Sequence, residues 1–440
     1  MSVLIRNATI LTMNDAWDVV LGDVWVDDGR IRAVGAVPTG AQADTTVDAS
    51  GSLVLPGFVQ THVHLCQTLF RGLADDLTLL EWLQYAIWPL EAAHEAASLR
   101  AAARLAAAEL QLGGTTSVLT METVHDTTAV FEAIEPTGLR ATIGKCLMDV
   151  RGDAPARLLQ PTGEALDESL ALHHRWTGAA GGRLRAALAP RFALCCSREL
   201  LEGAAEASAR YGLIVHTHAA EQREETAVVK RQTGFDNLAY FESVGLASER
   251  LCAAHCVWAT DEDVRMLAER RVRVLHCPSS NLKLGSGIAP VARMRASDVS
   301  VSLGADGAAC NNRLDMFQEM RLATMLQSVA LGPGALTARD AVAMATREGA
   351  RALGLGDEIG TIEPGRKADL IVVGIDGLHQ LPGRDPYSTL VYASRPSDVR
   401  LTVIDGRIVA RDGTLAWAET PDLVEEARTS ARALIARAKL

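Results

Sequence analysis

Between residues 53 and 303 the chain alternates short apolar runs with Ala- and Glu-rich stretches of helical spacing. That alternation predicts βα units around a parallel sheet. Eight runs qualify as strands: 53–59, 116–121, 141–147, 184–188, 213–215, 251–254, 272–275 and 299–303. Helical stretches such as 97–112, stopped by Gly113-Gly114, lie between them. Eight strands with intervening helices predict an α/β chain folded as a (β/α)8 TIM-like barrel. In that fold, active sites sit at the C-terminal ends of the strands.

Both flanks have a different texture. The first fifty residues carry short stretches at 3–5, 9–11, 24–26 and 31–34, broken by Asp-Asp-Gly and Gly-Arg turns. The same texture returns at 368–373 and at 399–404, which turns through Asp405-Gly406 into 407–409, a hairpin signal. The two ends are expected to form one small discontinuous β-sandwich domain, residues 1–52 plus 358–420, beside a barrel of residues 53–357. The tail 421–440, with Leu423, Val424, Ala427 and Leu434 at helical spacing, is expected to pack on the body as a terminal helix.

A chain of 440 residues, 48% hydrophobic and 22% charged, can bury a large core. Its formal charge of −11 argues against a nucleic-acid or anionic-membrane surface. The N-terminus lacks the pattern of a secretory signal. No apolar run approaches the roughly 18 residues that span a bilayer, so a cytoplasmic protein is expected. Eight cysteines with no CxxC spacing argue against a disulfide scaffold, thiolate zinc and thioredoxin-type chemistry. Glycine-rich stretches at 354–360 and 360–367 miss the spacing of dinucleotide- and phosphate-binding loops.

The polar residues at the strand ends form an ordered set. The first run leads into His62 and His64, the fifth into His216-Thr217-His218-Ala219-Ala220-Glu221, the sixth into His255, the seventh into His276 and the eighth into Asp306. Residues i and i+2 of a strand face one side, so His62 and His64 can point at one ion; a packed or solvated pair is the bland alternative. Three or four nitrogen and oxygen donors, with one position open for water, suit a catalytic divalent metal. Such a metal supplies a nucleophile at neutral pH without a serine or cysteine. His216 and His218 share a face, so either can be a ligand, although the HxxE spacing to Glu221 favours His218. Glu221 can stand beside a metal and shuttle a proton, or begin an acidic surface helix with Glu224 and Glu225.

This constellation resembles the amidohydrolase superfamily, in particular its mononuclear deaminase and s-triazine hydrolase branch. The matching residues are Pro56-Gly57-Phe58-Val59-Gln60-Thr61-His62-Val63-His64, His218-Ala219-Ala220-Glu221, Ala254-His255, His276-Cys277-Pro278-Ser279-Ser280-Asn281, Gly304-Ala305-Asp306-Gly307 and Glu363-Pro364-Gly365-Arg366-Lys367-Ala368-Asp369-Leu370. The resemblance covers nearly the whole chain. It implies one divalent metal, zinc first with iron or manganese as alternatives, held by His62, His64, His218 and Asp306. It implies further that His255 orients the hydrolytic water or approaches the metal. Asp306 would accept a proton from that water, and Glu221 would protonate the ring nitrogen beside the departing amine. Binuclear relatives carry a lysine at the end of the fourth strand. Here that end reads Leu188-Ala189-Pro190-Arg191-Phe192 and Lys145 falls on the third, so one metal is expected. Relatives of this kind form dimers or tetramers, which implies a homo-oligomer.

The implied substrate is a small heterocyclic amine. Gln67, Arg191 and Phe192 resemble the base-reading residues of guanine deaminases: an amide and a guanidinium can bond a ring carbonyl and ring nitrogens, and an aromatic ring covers the face. Trp82 and Glu91, with Ser280-Asn281-Leu282-Lys283-Leu284-Gly285-Ser286-Gly287, resemble the group acting on S-adenosylhomocysteine, methylthioadenosine and 5′-deoxyadenosine. In that group the glutamate binds ribose hydroxyls and the tryptophan lines the pocket. The balance favours a 5′-modified adenosine, with guanine, 8-oxoguanine, a pterin or an s-triazine as alternatives and His276 as a further substrate contact. On the residues alone, Trp82 reads as core before it reads as a ligand platform, and Arg191 can equally pair with a structural acid. A non-catalytic metal-binding protein on the same fold is the reading from another class; the retained His62, His64, His218, Glu221, His255 and Asp306 argue against it.

Overall fold

A computed structural model describes residues 2–440 and contains two nine-stranded sheets. In one sheet the strands Phe58–His64, Thr115–Met121, Arg140–Leu147, Leu184–Pro190, Val215–Ala219, Leu251–His255, Arg273–His276 and Ser300–Leu303 pair in parallel in chain order. They are the eight barrel strands. All seven residues of the first are buried, as are all eight of Arg140–Leu147. Such continuous burial is what a parallel sheet covered by helices demands, and it explains why these segments are apolar runs rather than alternations. The two residues Asp306–Gly307 pair with Val63 and His64 of the first strand, which returns the end of the eighth to the first. Gly304 makes this approach possible, because a Cβ there would lie 2.6 Å from the His62 carbonyl oxygen.

The run 53–59 is not one strand. Ser52–Pro56 belongs to the other sheet, where it pairs with Ser2–Leu11 in parallel and with Leu370–Gly374 antiparallel. The first barrel strand starts at Phe58 and contains both histidines instead of preceding them. Gly57, at the join, faces the Thr116 side chain so closely that a Cβ would overlap it, and its N–H donates to the Asp369 carbonyl at 3.0 Å.

The second sheet is built from both ends of the chain. Ser2–Leu11, Val19–Asp27 and Arg30–Gly35 form one side, and Leu370–Gly374, Val399–Ile404, Arg407–Arg411 and Thr414–Leu415 the other. It is one continuous sheet that curls over its own core of Val3, Ile5, Val24, Ile31, Val372 and Val403, rather than two separately bonded sheets. The Val399–Ile404 and Arg407–Arg411 hairpin turns at Asp405-Gly406, as the Asp-Gly signal predicts.

A buried ion pair ties the sheets together. Arg140, on the third barrel strand, donates to Asp369 through Nε at 2.7 Å and Nη2 at 2.9 Å, and the Asp405 N–H donates to Asp369 at 2.8 Å. The last helix, Thr420–Ala438, packs on Ala96–Leu112 and adds an Arg104–Glu426 pair at 3.1 Å. Among the described residues no helix is long and apolar enough to cross a membrane.

Candidate active site

Four side chains converge inside the C-terminal mouth of the barrel. His62 and His64 come from the first strand, His218 from the fifth and Asp306 from the turn after the eighth; one donor atom of each lies within 4.8 Å of all the others. The imidazoles are aimed from behind. Nδ1 of His64 meets the Met121 carbonyl at 2.9 Å, and Nδ1 of His218 meets the Arg191 carbonyl at 2.6 Å. A carbonyl only accepts, so in each ring Nδ1 carries the proton and Nε2 presents a lone pair. The two Nε2 atoms lie 3.3 Å apart, and Asp306 Oδ1 lies 3.2 Å from His64 Nε2 and 3.2 Å from His62 Nε2. Burial lowers the pKa of His62 to about 4, so the ring is neutral at pH 7.

Asp306 is firmly held. Oδ2 accepts the Ser280 hydroxyl at 2.6 Å and Oδ1 the Gly307 N–H at 2.7 Å. Asp306 and His255 both adopt positive φ, 62° and 70°, a region costly for residues with a Cβ and concentrated at functional sites. His255 Nδ1 donates to Asn281 Oδ1 at 2.9 Å, which turns Nε2 toward Glu221 Oε2 at 3.7 Å and Asp306 Oδ2 at 3.9 Å. Burial would lower the His255 pKa, but the Glu221 and Asp306 carboxylates prevail and raise it.

Glu221 sits on the turn between the fifth strand and the helix Arg223–Thr233. Its own N–H donates to Glu225 at 3.0 Å, and Asn237 fixes the other Glu225 oxygen at 2.7 Å. Helix capping thereby aims the turn. Burial raises the Glu221 pKa to about 7, with Asp306 and Glu225 adding to the shift and His255 opposing it. A carboxyl of that kind can hold a proton at neutral pH and give it up.

Above the four donors lies a cavity. Gln67, Trp82, Arg191 and Phe192 line it beside His64, His218, Glu221, His255 and Asp306. Glu91 and His276 are not in the lining. Glu91 is buried behind it, where its carboxylate accepts both guanidinium arms of Arg191 and the Gln67 amide at 2.9 Å. Arg191 has thus found the structural acid that was one of its two readings, and it faces the cavity as well. His276 is buried on the seventh strand, and burial lowers its pKa to about 3. Lys145 points away from the mouth to Gln160 at 2.6 Å and Glu168 at 3.5 Å.

A model of the amidohydrolase family matches residues 53–409. The chain belongs to that family. It is 41% identical to 5′-deoxyadenosine deaminase of Methanosarcina acetivorans over 99% of each chain. It is 40% identical to 5-methylthioadenosine/S-adenosylhomocysteine deaminase of Symbiobacterium thermophilum, covering 98% of this chain and 99% of that one. A crystal structure of an adenosine deaminase from Xanthomonas campestris with bound zinc superimposes with a TM-score of 0.92 at 33% identity, covering 99% of this chain and 98% of that one.

The donors of this amidohydrolase fit a divalent cation. His62 Nε2 and His255 Nε2 are buried and have no hydrogen-bond partner among the described residues. Three imidazole Nε2 atoms and a carboxylate oxygen converge at 3.2–3.3 Å, a nitrogen and oxygen donor set of the kind that holds a divalent cation. Ser280 and Asn281, to which their sequence motif assigns no individual role, hold Asp306 and His255. Glu225, which in sequence reads as part of an acidic helix start, steers Glu221 and lines the cavity. Its spacing three residues after Gln222 is a capping-box signal that could have revealed it. Leu79, Leu83 and Leu284, which make the cavity apolar, carried no signal of their own.

Proposed function

We propose that this amidohydrolase hydrolytically deaminates the adenine ring of a 5′-modified adenosine, such as 5′-deoxyadenosine, methylthioadenosine or S-adenosylhomocysteine, and releases ammonia. The observation that carries the reading is Glu221, a carboxyl protonatable near pH 7, buried in one cavity with the four-donor cluster. Similarity to 5′-deoxyadenosine deaminase over nearly the full length supports the substrate class. His62, His64, His218 and Asp306 would hold one divalent ion, and the zinc in the similar adenosine deaminase structure supports zinc. When bound, that ion supplies a Lewis acid that makes water a nucleophile at neutral pH.

The chain's own residues do the rest. Asp306 Oδ2, oriented by the Ser280 hydroxyl, takes a proton from the attacking water. His255 Nε2, between Glu221 and Asp306, orients that water. Glu221 gives its proton to the ring nitrogen next to the amine-bearing carbon, so that attack does not build negative charge on the ring, and a further proton transfer releases the amine as ammonia. Trp82 and Phe192 cover the ring faces while Leu79, Leu83 and Leu284 exclude water.

One observation favours a second reading. Glu91 is engaged by Arg191 and Gln67 rather than free for ribose hydroxyls, and Arg191 lies in the cavity wall, where a guanidinium suits a ring carbonyl. That chemistry fits guanine, 8-oxoguanine or a pterin. Ammonia release should be measured from 5′-deoxyadenosine, methylthioadenosine, S-adenosylhomocysteine, adenosine, guanine, 8-oxoguanine, a pterin and an aminotriazine, with metal analysis of the same samples. The first three should have the highest kcat/KM; preference for free bases over every nucleoside would overturn the main reading. Light scattering on those samples tests the dimer or tetramer that family likeness implies.

A further inference from the structure

His216 lies two residues before His218 on the same strand face, yet it stands outside the four-donor cluster and the cavity lining. It is fully buried, as are His62 and Thr120 on either side of it. Its Nε2 is 2.6 Å from His62 Nδ1, its Nδ1 is 3.2 Å from the Thr120 carbonyl oxygen, and its ring stands perpendicular to that of His62. His64 and His218 rest their Nδ1 atoms on backbone carbonyls, and His62 alone rests on another imidazole.

We infer that His216 is a positioning residue that fixes the proton of His62 on Nδ1 and so dedicates His62 Nε2 to the metal. The direction of the chain follows from its far end. The Thr120 atom that meets Nδ1 is the carbonyl oxygen, so the proton of a neutral His216 must sit on Nδ1, since the other tautomer would set two lone pairs against each other. A doubly protonated His216 would be a fully buried cation facing a carbonyl and a histidine with no carboxylate partner, a costly arrangement. Nε2 of His216 is therefore bare and accepts, and His62 Nδ1 donates. What remains is the lone pair of His62 Nε2, buried, unpartnered and 3.2 Å from Asp306 Oδ1. An imidazole is also a good acceptor, and outer partners of this kind orient a metal-binding histidine ring.

The inference rests on the four-donor cluster being a metal site, and a zinc-binding experiment separates the two claims. The dissociation constant for zinc is measured on the full-length demetallated protein by chelator competition, for the parent and for His216→Gln, His216→Asn and His216→Leu. A glutamine amide reaches as far as Nε2 and can accept from His62. An asparagine amide reaches only as far as Nδ1 and leaves His62 without an acceptor. Asn and Leu should weaken zinc binding about 10- to 100-fold while Gln stays within about threefold of the parent. At saturating zinc KM should not change, because His216 does not touch the cavity. If the Leu variant fails to fold, the Gln and Asn pair decides, since both are amides. Equal affinity in all variants overturns the inference, and so does a Gln variant as weak as Asn, which would make packing the cause. A parent that binds no zinc, cobalt or manganese refutes the metal site itself.

Discussion

Glu221 shows how much of the chemistry depends on one residue's surroundings. The same carboxyl in water would be ionised at pH 7; burial and two neighbouring acids bring its pKa to about 7, where a carboxyl can both hold and release a proton. Replacing it by glutamine keeps size and polarity but removes the proton. Glu221→Gln should bind zinc as the parent does and lose about 10²- to 10⁴-fold in kcat, the usual worth of general acid catalysis. Its melting temperature should not fall, because an amide is never forced to be buried ionised. The sign of the pH dependence follows from the raised pKa: the protonated form is present below about 7 and lost above it, so kcat of the parent should decline on the alkaline side. Parent-like ammonia release from the variant, or a rate that keeps rising above pH 8, would remove Glu221 from the reaction.

At the scale of elements, the site depends on where strands begin, end and touch. Gly304 lets the turn after the eighth strand run against the backbone of His62, with a Cβ predicted 2.6 Å from the carbonyl oxygen and 2.7 Å from the nitrogen. Gly304→Ala should therefore push Asp306 away from His62 and His64. Zinc affinity should drop at least tenfold and stability by about 1–3 kcal/mol, as for other overpacked core positions; unchanged affinity would mean that the two strands yield without moving the donors. The repeated βα texture made the barrel legible in the sequence, and so were the strand-end positions of His62, His64, His218, Glu221, His255 and Asp306. The boundary inside 53–59 was not. Ser52–Pro56 and Phe58–His64 are both fully buried, so hydrophobicity runs through the join unbroken and only Gly57 marks it. The fate of Glu91 was hidden for another reason: its partner Arg191 is a hundred residues away and meets it only when the barrel closes. The role of Glu225 lay in a capping pattern that reads equally well as a solvated acidic turn.

For the whole molecule, two sets of buried charges are the points where stability and function meet. Removing the ion from the His62, His64, His218 and Asp306 cluster leaves converging lone pairs unshielded, and bound ligand stabilises by mass action, about 4 kcal/mol at a thousandfold excess over Kd. Chelation should lower the melting temperature by several degrees, and added zinc should restore it; no shift in either direction would mean that the cluster binds no ion. The Arg140–Asp369 pair joins the barrel to the sheet built from the chain ends. Both side chains are almost fully buried, so deleting Asp369 leaves Arg140 in the interior with only the longer contact to Asp405 at 3.7 Å. Asp369→Ala should cost about 3–5 kcal/mol in thermal or denaturant unfolding. The double replacement Arg140→Met with Asp369→Leu should recover much of that loss by removing both charges together. Recovery should stop short of the parent, since the Asp405 N–H that donates to Asp369 at 2.8 Å is then left without its acceptor, a penalty of about 1–3 kcal/mol. Zinc affinity should be unchanged in the double variant, because neither residue touches the donor cluster or the cavity. An Asp369→Ala protein that melts with the parent would show that the sheet holds to the barrel by its apolar contacts alone.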